Sequence, residues 1–255
     1  MTDAPEKSVI PAATVVVFRK GAADGPPELL MVQRAKEMRF AGGAAVFPGG
    51  RIDPEDHALA ARLAPAEDPE RAAARVAAVR ETLEETGLAI SLARAVSAAE
   101  AADARAMLHE VGALAPVIER FGWSLNLDTL VPFARWCPNW PGAFDTRFFL
   151  ADLGTGAVEV AVDATENTRL FWASAARALE MASTGEISVV FPTQRNLDRL
   201  AQFPSFAAAC AHAGDYPIRT ISPWRVERDG RTFLTIPDDL GYPITEQDLA
   251  TVRRT

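Results

Sequence analysis

Three glutamates and an arginine crowd into two helical turns at Arg80-Glu81-Thr82-Leu83-Glu84-Glu85-Thr86-Gly87-Leu88. At about 100° per residue, Glu81, Glu84 and Glu85 fall within one sector of roughly 100°, with Val76, Val79 and Leu83 opposite. One face can therefore be buried while the other gathers negative charge. Carboxylates at i, i+3 and i+4 repel one another, so a helix that keeps three together invites a divalent cation. Hard oxygen donors favour Mg²⁺ or Mn²⁺. A solvated acidic face is the competing explanation for the glutamates taken alone. Upstream, Phe47-Pro48-Gly49-Gly50-Arg51 predicts a tight turn where backbone approaches another group closely.

Together the two segments resemble the Nudix box, Gly-x5-Glu-x7-Arg-Glu-U-x-Glu-Glu-x-Gly-U, where U is a bulky apolar residue. The second half matches from Arg80 to Leu88, with Thr82 in place of the first U. The first half departs from the pattern. The sixth residue after Gly50 is Asp56 rather than Glu, and 29 residues separate Gly50 from Arg80 where the family pattern has 13. An insertion of 16 residues, around 57–72, accounts for the difference, and Asp56, Glu67 and Glu70 all stand as substitutes for the first glutamate. The resemblance implies a Nudix-type α/β/α sandwich with a mixed sheet, and hydrolysis of a diphosphate using divalent metal.

A second stretch, Leu30-Met31-Val32-Gln33-Arg34-Ala35 followed by Arg39, Gly43 and Phe47-Pro48-Gly49-Gly50, is similar to the signature of Nudix enzymes acting on coenzyme A. That signature reads Leu-Leu-Thr-x-Arg-(Ser/Ala)-x3-Arg-x3-Gly-x3-Phe-Pro-Gly-Gly, and Met31 and Val32 are the departures. The likeness implies CoA or acyl-CoA as substrate, cleaved to 3′,5′-ADP and (acyl-)4′-phosphopantetheine. Physical chemistry agrees with it. CoA carries a 3′-phosphate beside its diphosphate, and arginine forks suit phosphate oxygens. Arg34, Arg39, Gly49, Gly50 and Arg51 are the expected substrate-binding residues.

The implied chemistry assigns metal to Glu81, Glu84 and Glu85, and proton transfer to Glu81 or a carboxylate outside the metal shell. Arg80 orients a carboxylate or serves as a structural ion pair. Glu166, six residues before Trp172, resembles a glutamate that many Nudix proteins place in a late loop, and is a fourth metal candidate. Asp145 is a further candidate for the cleft. Trp136, Trp140 and Trp172 are assigned to the core. The alternatives are a nucleoside-diphosphate-sugar or dinucleotide (ADP-ribose, NADH) diphosphatase, and a nucleotide sensor without turnover. RNA decapping ranks last, since no basic stripe with interleaved aromatics is present.

Elements must position these groups. Ala12–Phe18 and Glu28–Arg34 read as paired strands, 44–47 as a short strand, and 53–63 as a helix. The long helix covers Pro69–Thr86, with Gly87 as its left-handed cap. Ser97–Arg120 reads as two short helices that carry no chemistry. Strands follow at 130–136 and 146–151, then a helix at 174–183 and an amphipathic stretch at 193–212. Thr220–Ile236 predicts a hairpin turning at Asp229-Gly230. The expected organisation is one hydrolase domain over 9–243, with helical insertions at about 57–72 and 97–122, and a loose tail at 1–8.

Composition narrows the class. Over 255 residues, hydrophobic residues make up 49% and charged residues 24%, as in a soluble globular protein. A formal net charge of −8 disfavours bulk nucleic-acid binding but not a small phosphorylated molecule. No run approaches the roughly 18 apolar residues of a membrane span, and residues 1–8 lack the order of a signal peptide. Two cysteines, Cys137 and Cys210, imply no disulfide framework, which fits a cytoplasmic setting. The family resemblance makes a homodimer the expected assembly.

Overall fold

A computed structural model describes residues 9–21, 25–36, 41–153 and 167–252. Strands β1 (Ile10–Arg19) and β2 (Glu28–Arg34) pair antiparallel at one end, Phe18 opposite Leu29, and then diverge. The gap is wedged open by β3 (Ala45–Val46), which pairs with β2, and β4 (Gly49–Arg51), which pairs with β1. Two glycines and an arginine are poor strand formers. Pairing with β1, and not local preference, makes β4 a strand.

Helix α1 (Pro54–Leu63) and α2 (Pro69–Thr86) follow, then α3 (Ala98–Val111) and α4 (Leu114–Phe121). A 3-10 turn at Leu127–Thr129 leads to β5 (Val131–Trp136) and β6 (Phe144–Asp152). Next come β7 (Asn167–Ala173), α5 (Ala175–Thr184), α6 (Phe191–Leu200) and α7 (Phe206–Gly214). The amphipathic stretch 193–212 thus falls into two helices. Its break is marked by Pro204 and by Ser205, whose side chain caps α7 through Ala208 N.

The main sheet runs β3-β2-β1-β6-β5 and ends on β8 (Thr220–Ile221), with β7 on the other side of β2. It is mixed: β1 lies parallel to β6 and antiparallel to β2. Side chains alternate across it. Ala13, Val15, Val17, Phe149 and Ala151 face α1–α4, while Val16, Phe18, Phe148 and Leu150 face α5–α7. Helices on both faces of a mixed sheet make the expected α/β/α sandwich. Among the described helices none is long and apolar enough to cross a membrane.

The C-terminal hairpin forms between β9 (Trp224–Arg228) and β10 (Arg231–Thr235), turning at Asp229 and Gly230, both with positive φ. It starts later than Thr220, because residues 220–221 join β5, and β11 (Glu246–Asp248) adds a third strand. Trp136 is buried, and Trp172 packs on the core beneath the Arg19 guanidinium. Trp140 departs from expectation: it is 55% exposed, held in the turn between β5 and β6.

Candidate active site at the glycine turn and helix α2

Helix α2 begins at Asp68, whose carboxylate accepts from Arg71 N, and ends at Gly87 (φ 75), whose N–H donates to Leu83 O. Alanine-rich spacing lets it lie close on the sheet, with Val76, Val79 and Leu83 buried as their periodicity requires. Thr82, standing where the box has an apolar residue, is buried too. Its hydroxyl donates to Ala78 O at 2.7 Å, so no polar group is stranded.

The acidic side is not a solvated face. Glu85 is only 4% exposed and its Oε2 accepts the Gly49 N–H at 3.0 Å. Glu81 lies against Gly50 so closely that a Cβ there would sit 2.3 Å from Glu81 Oε1. Gly49, at φ 155, would meet Ala13 O at 2.3 Å with any side chain. The turn therefore requires both glycines, one for backbone approach to β1 and one for the carboxylate.

Arg80 organises the cluster. It is 4% exposed and forks onto Asp56, with Nε 3.0 Å from Oδ1 and Nη2 2.9 Å from Oδ2. Its Nη1 donates to Glu81 Oε1 at 2.9 Å and Glu84 Oε2 at 3.3 Å, and its Nη2 donates to Arg51 O at 2.8 Å. Asp53, not foreseen as a participant, adds an ion pair at 3.2 Å. Burial opposes the Arg80 charge, but the bonds to Asp56 and the fields of Glu81, Asp56 and Asp53 outweigh it and raise its pKa.

Of the three substitutes for the first box glutamate, Asp56 is the one against Arg80. It also accepts the Asp53 N–H at 2.9 Å, closing the N-terminus of α1. Glu67 instead binds Arg71 and Arg75, and Glu70 lies 4.0 Å from His57. Asp145 is held by Arg135, with bonds of 2.8 and 2.5 Å. Arg34 makes no ion pair among the described residues, and its buried Nε has no hydrogen-bond partner. The Arg51 side chain is exposed. Arg39 and Glu166 lie outside the described residues.

Helix α3 has a positioning task that its composition did not reveal. The C-terminal end of α2 carries carboxylates where a helix prefers cations, and its last turn has no basic residue. Arg105 of α3 supplies the charge, donating to Glu84 O at 2.9 Å and Glu85 O at 3.2 Å.

Four carboxylates on one guanidinium, with Glu85 beside Glu81, leave excess negative charge. Burial foremost, then the fields of Glu85 and Glu84 against that of Arg80, pushes the Glu81 carboxyl up to about 8. A hard divalent cation fits this donor set. Among the described residues no three side chains are already converged as a metal cage. Arg80 occupies one oxygen each of Glu81 and Glu84, which leaves the second oxygen of each to an ion.

The shift has a measurable sign. A carboxyl raised on folding contributes stability that is complete below its ordinary range and is lost as pH climbs to about 8. The metal-free protein in EDTA is expected to melt at progressively lower temperature between about pH 5 and pH 8.5. Glu81→Gln should flatten that slope. A slope unchanged by the substitution would place its origin elsewhere.

Solved structures are similar to this chain. A Nudix hydrolase from Alicyclobacillus acidocaldarius is 32% identical, with a TM-score of 0.67 over 80% of this chain and 96% of that one. A MutT/nudix family protein from Enterococcus faecalis is 15% identical, with a TM-score of 0.40 over 67% of this chain and 46% of that one. The NUDIX domain of Shewanella oneidensis NrtR, crystallised with ADP ribose, is 12% identical, with a TM-score of 0.40 over 76% and 89%. No family model matches the chain. On the strength of the 32% identical relative, the chain belongs to the Nudix hydrolases. It is an enzyme of the class that hydrolyses diphosphates.

Proposed function

We propose that residues 9–243 act as one unit that hydrolyses the diphosphate of CoA or acyl-CoA, releasing 3′,5′-ADP and (acyl-)4′-phosphopantetheine. The observation that carries this reading is the buried union of Glu81, Glu85 and the Gly49-Gly50 turn, preceded in sequence by the arginine signature from Leu30. Glu81, Glu84 and Glu85 are the proposed holders of Mg²⁺ or Mn²⁺, with Glu166 as a fourth donor. Bound there, the ion supplies charge neutralisation at phosphate oxygens and a more acidic water. The chain's own groups do the rest. Glu81, or a carboxylate outside the metal shell, is the proposed base. Arg80 holds Glu81 and Glu84 in place, and Gly49 N–H fixes Glu85. Arg34 and Arg39 are proposed to receive substrate phosphates, Arg34 through its unpartnered buried Nε.

The test is the product pattern from CoA, dephospho-CoA, NADH, ADP-ribose and capped RNA with Mg²⁺ or Mn²⁺, read by mass spectrometry. CoA and acyl-CoA should yield 3′,5′-ADP, and Arg39→Ala should raise KM for CoA more than for dephospho-CoA. Intact CoA alongside cleaved ADP-ribose or NADH would replace CoA with a dinucleotide as substrate.

A further inference from the structure

Strand β9 ends the small sheet β11-β10-β9, and among the described residues it pairs with β10 alone. Its residues, Trp224-Arg225-Val226-Glu227-Arg228, are exposed except for the half-buried Val226. The register shows which of them aim their backbone at the free edge. Thr232 O accepts the Leu249 N–H, so Thr232 turns its backbone groups away from β9, and Leu234, two residues on, does the same. Glu227 stands opposite Thr232 and Arg225 opposite Leu234. In an antiparallel ladder both members of such a pair point their N–H and C=O outward. Arg225 and Glu227 therefore each present one donor and one acceptor along the edge.

A bare edge is a template for another strand, and proteins commonly blunt it with charge. Here the charges have opposite signs and sit symmetrically about Val226. In a second copy laid antiparallel along this edge, with Val226 facing Val226, Arg225 of each copy stands opposite Glu227 of the other. Four backbone hydrogen bonds then join the two strands, and both charge pairs are of opposite sign. Trp224, 45% exposed, comes opposite Arg228, whose guanidinium suits an aromatic face. Only two other registers bring outward backbone groups of these residues together. One sets Arg225 against Arg225 and the other Glu227 against Glu227, and like charges directly opposite are destabilising. The Thr232 hydroxyl donates to Glu227 Oε1 at 2.6 Å and steadies that carboxylate. Arg225 makes no hydrogen bond or ion pair among the described residues.

We propose that two copies of this chain pair through β9, joining their three-stranded sheets into one of six strands about a two-fold axis at Val226. Charge and register together select a second copy as the occupant of this edge. The assignment is independent of the hydrolase reading and of the substrate.

The experiment measures self-association of the full-length protein by sedimentation velocity across a range of concentrations, with melting temperatures as the control for folding. Five residues a side make a small contact, so wild type should dimerise with a Kd on the order of micromolar. Arg225→Glu leaves two acids on the edge and Glu227→Arg two bases. Each should weaken its own dimer about tenfold or more at unchanged melting temperature. Mixed in equal amounts, the two variants should pair with each other at about wild-type strength, since every acid then meets a base. A wild type still monomeric at about 100 μM overturns the proposal, as does a dimer that both variants keep at wild-type strength. A loss in both that mixing does not repair overturns it too. Should either single variant not fold, the Arg225→Glu, Glu227→Arg double variant decides, with copies carrying different fluorophores. It should dimerise with itself and not with wild type, and free exchange between the two, or no dimer of its own, overturns the assignment.

Discussion

Glu84→Gln and Glu85→Gln should each lower kcat at least about 100-fold at saturating metal while leaving the fold intact, since each removes a charge from the metal-holding set. The geometry explains why the fold should survive. Glutamine keeps the oxygen that accepts the Gly49 N–H, so the turn stays anchored when Glu85 is replaced. Glu84 is the most open of the three, with 36% of its side chain exposed, and its contact with Arg80 is a long 3.3 Å. What disappears in both is negative charge, not packing. Calorimetric titration of Mn²⁺ should show weaker binding in step with the kinetics. Near-normal turnover in both variants would refute the roles given to these residues.

Arg80→Ala should cost stability as well as activity. The substitution strands Asp56, which is 1% exposed and has no other cation in contact among the described residues. Breaking a buried pair by deleting one partner costs about 3–5 kcal/mol, or on the order of 10 °C in melting temperature for a domain of this size. Added Mg²⁺ should not restore the loss, since Asp56 lies on the far side of Arg80 from the helix carboxylates. Removing both charges in an Arg80→Leu, Asp56→Leu double variant should recover much of the stability, because a buried pair replaced by apolar groups is often neutral. A single variant as stable as wild type would mean that Arg80 is not the hub its contacts describe.

The long helix and its carboxylates were readable along the chain because α2 obeys local rules: an aspartate cap, alanine-rich spacing, an apolar stripe and a terminal glycine. The hairpin at Asp229-Gly230 was readable for the same reason. Strand β4 was not, because its residues resist extension and only β1 imposes it. Nor could residue counting single out Asp56 among three acidic candidates. That choice depends on α1 and α2 folding back on each other, which brings residues 24 apart into a bidentate pair. Arg105 sits in a segment with no motif, and only the packing of α3 gives it a place.

The pairing of Asp56 with Arg80 changes how such a signature should be defined. Asp56 and Arg80 meet in space although the stretch joining them is far longer than the usual pattern allows. What persists is who touches whom, and the string length between touching partners is free to drift. Chains with similarly stretched signatures would be found by asking which buried acid greets the helix arginine, where a ruler laid along the residues passes them by.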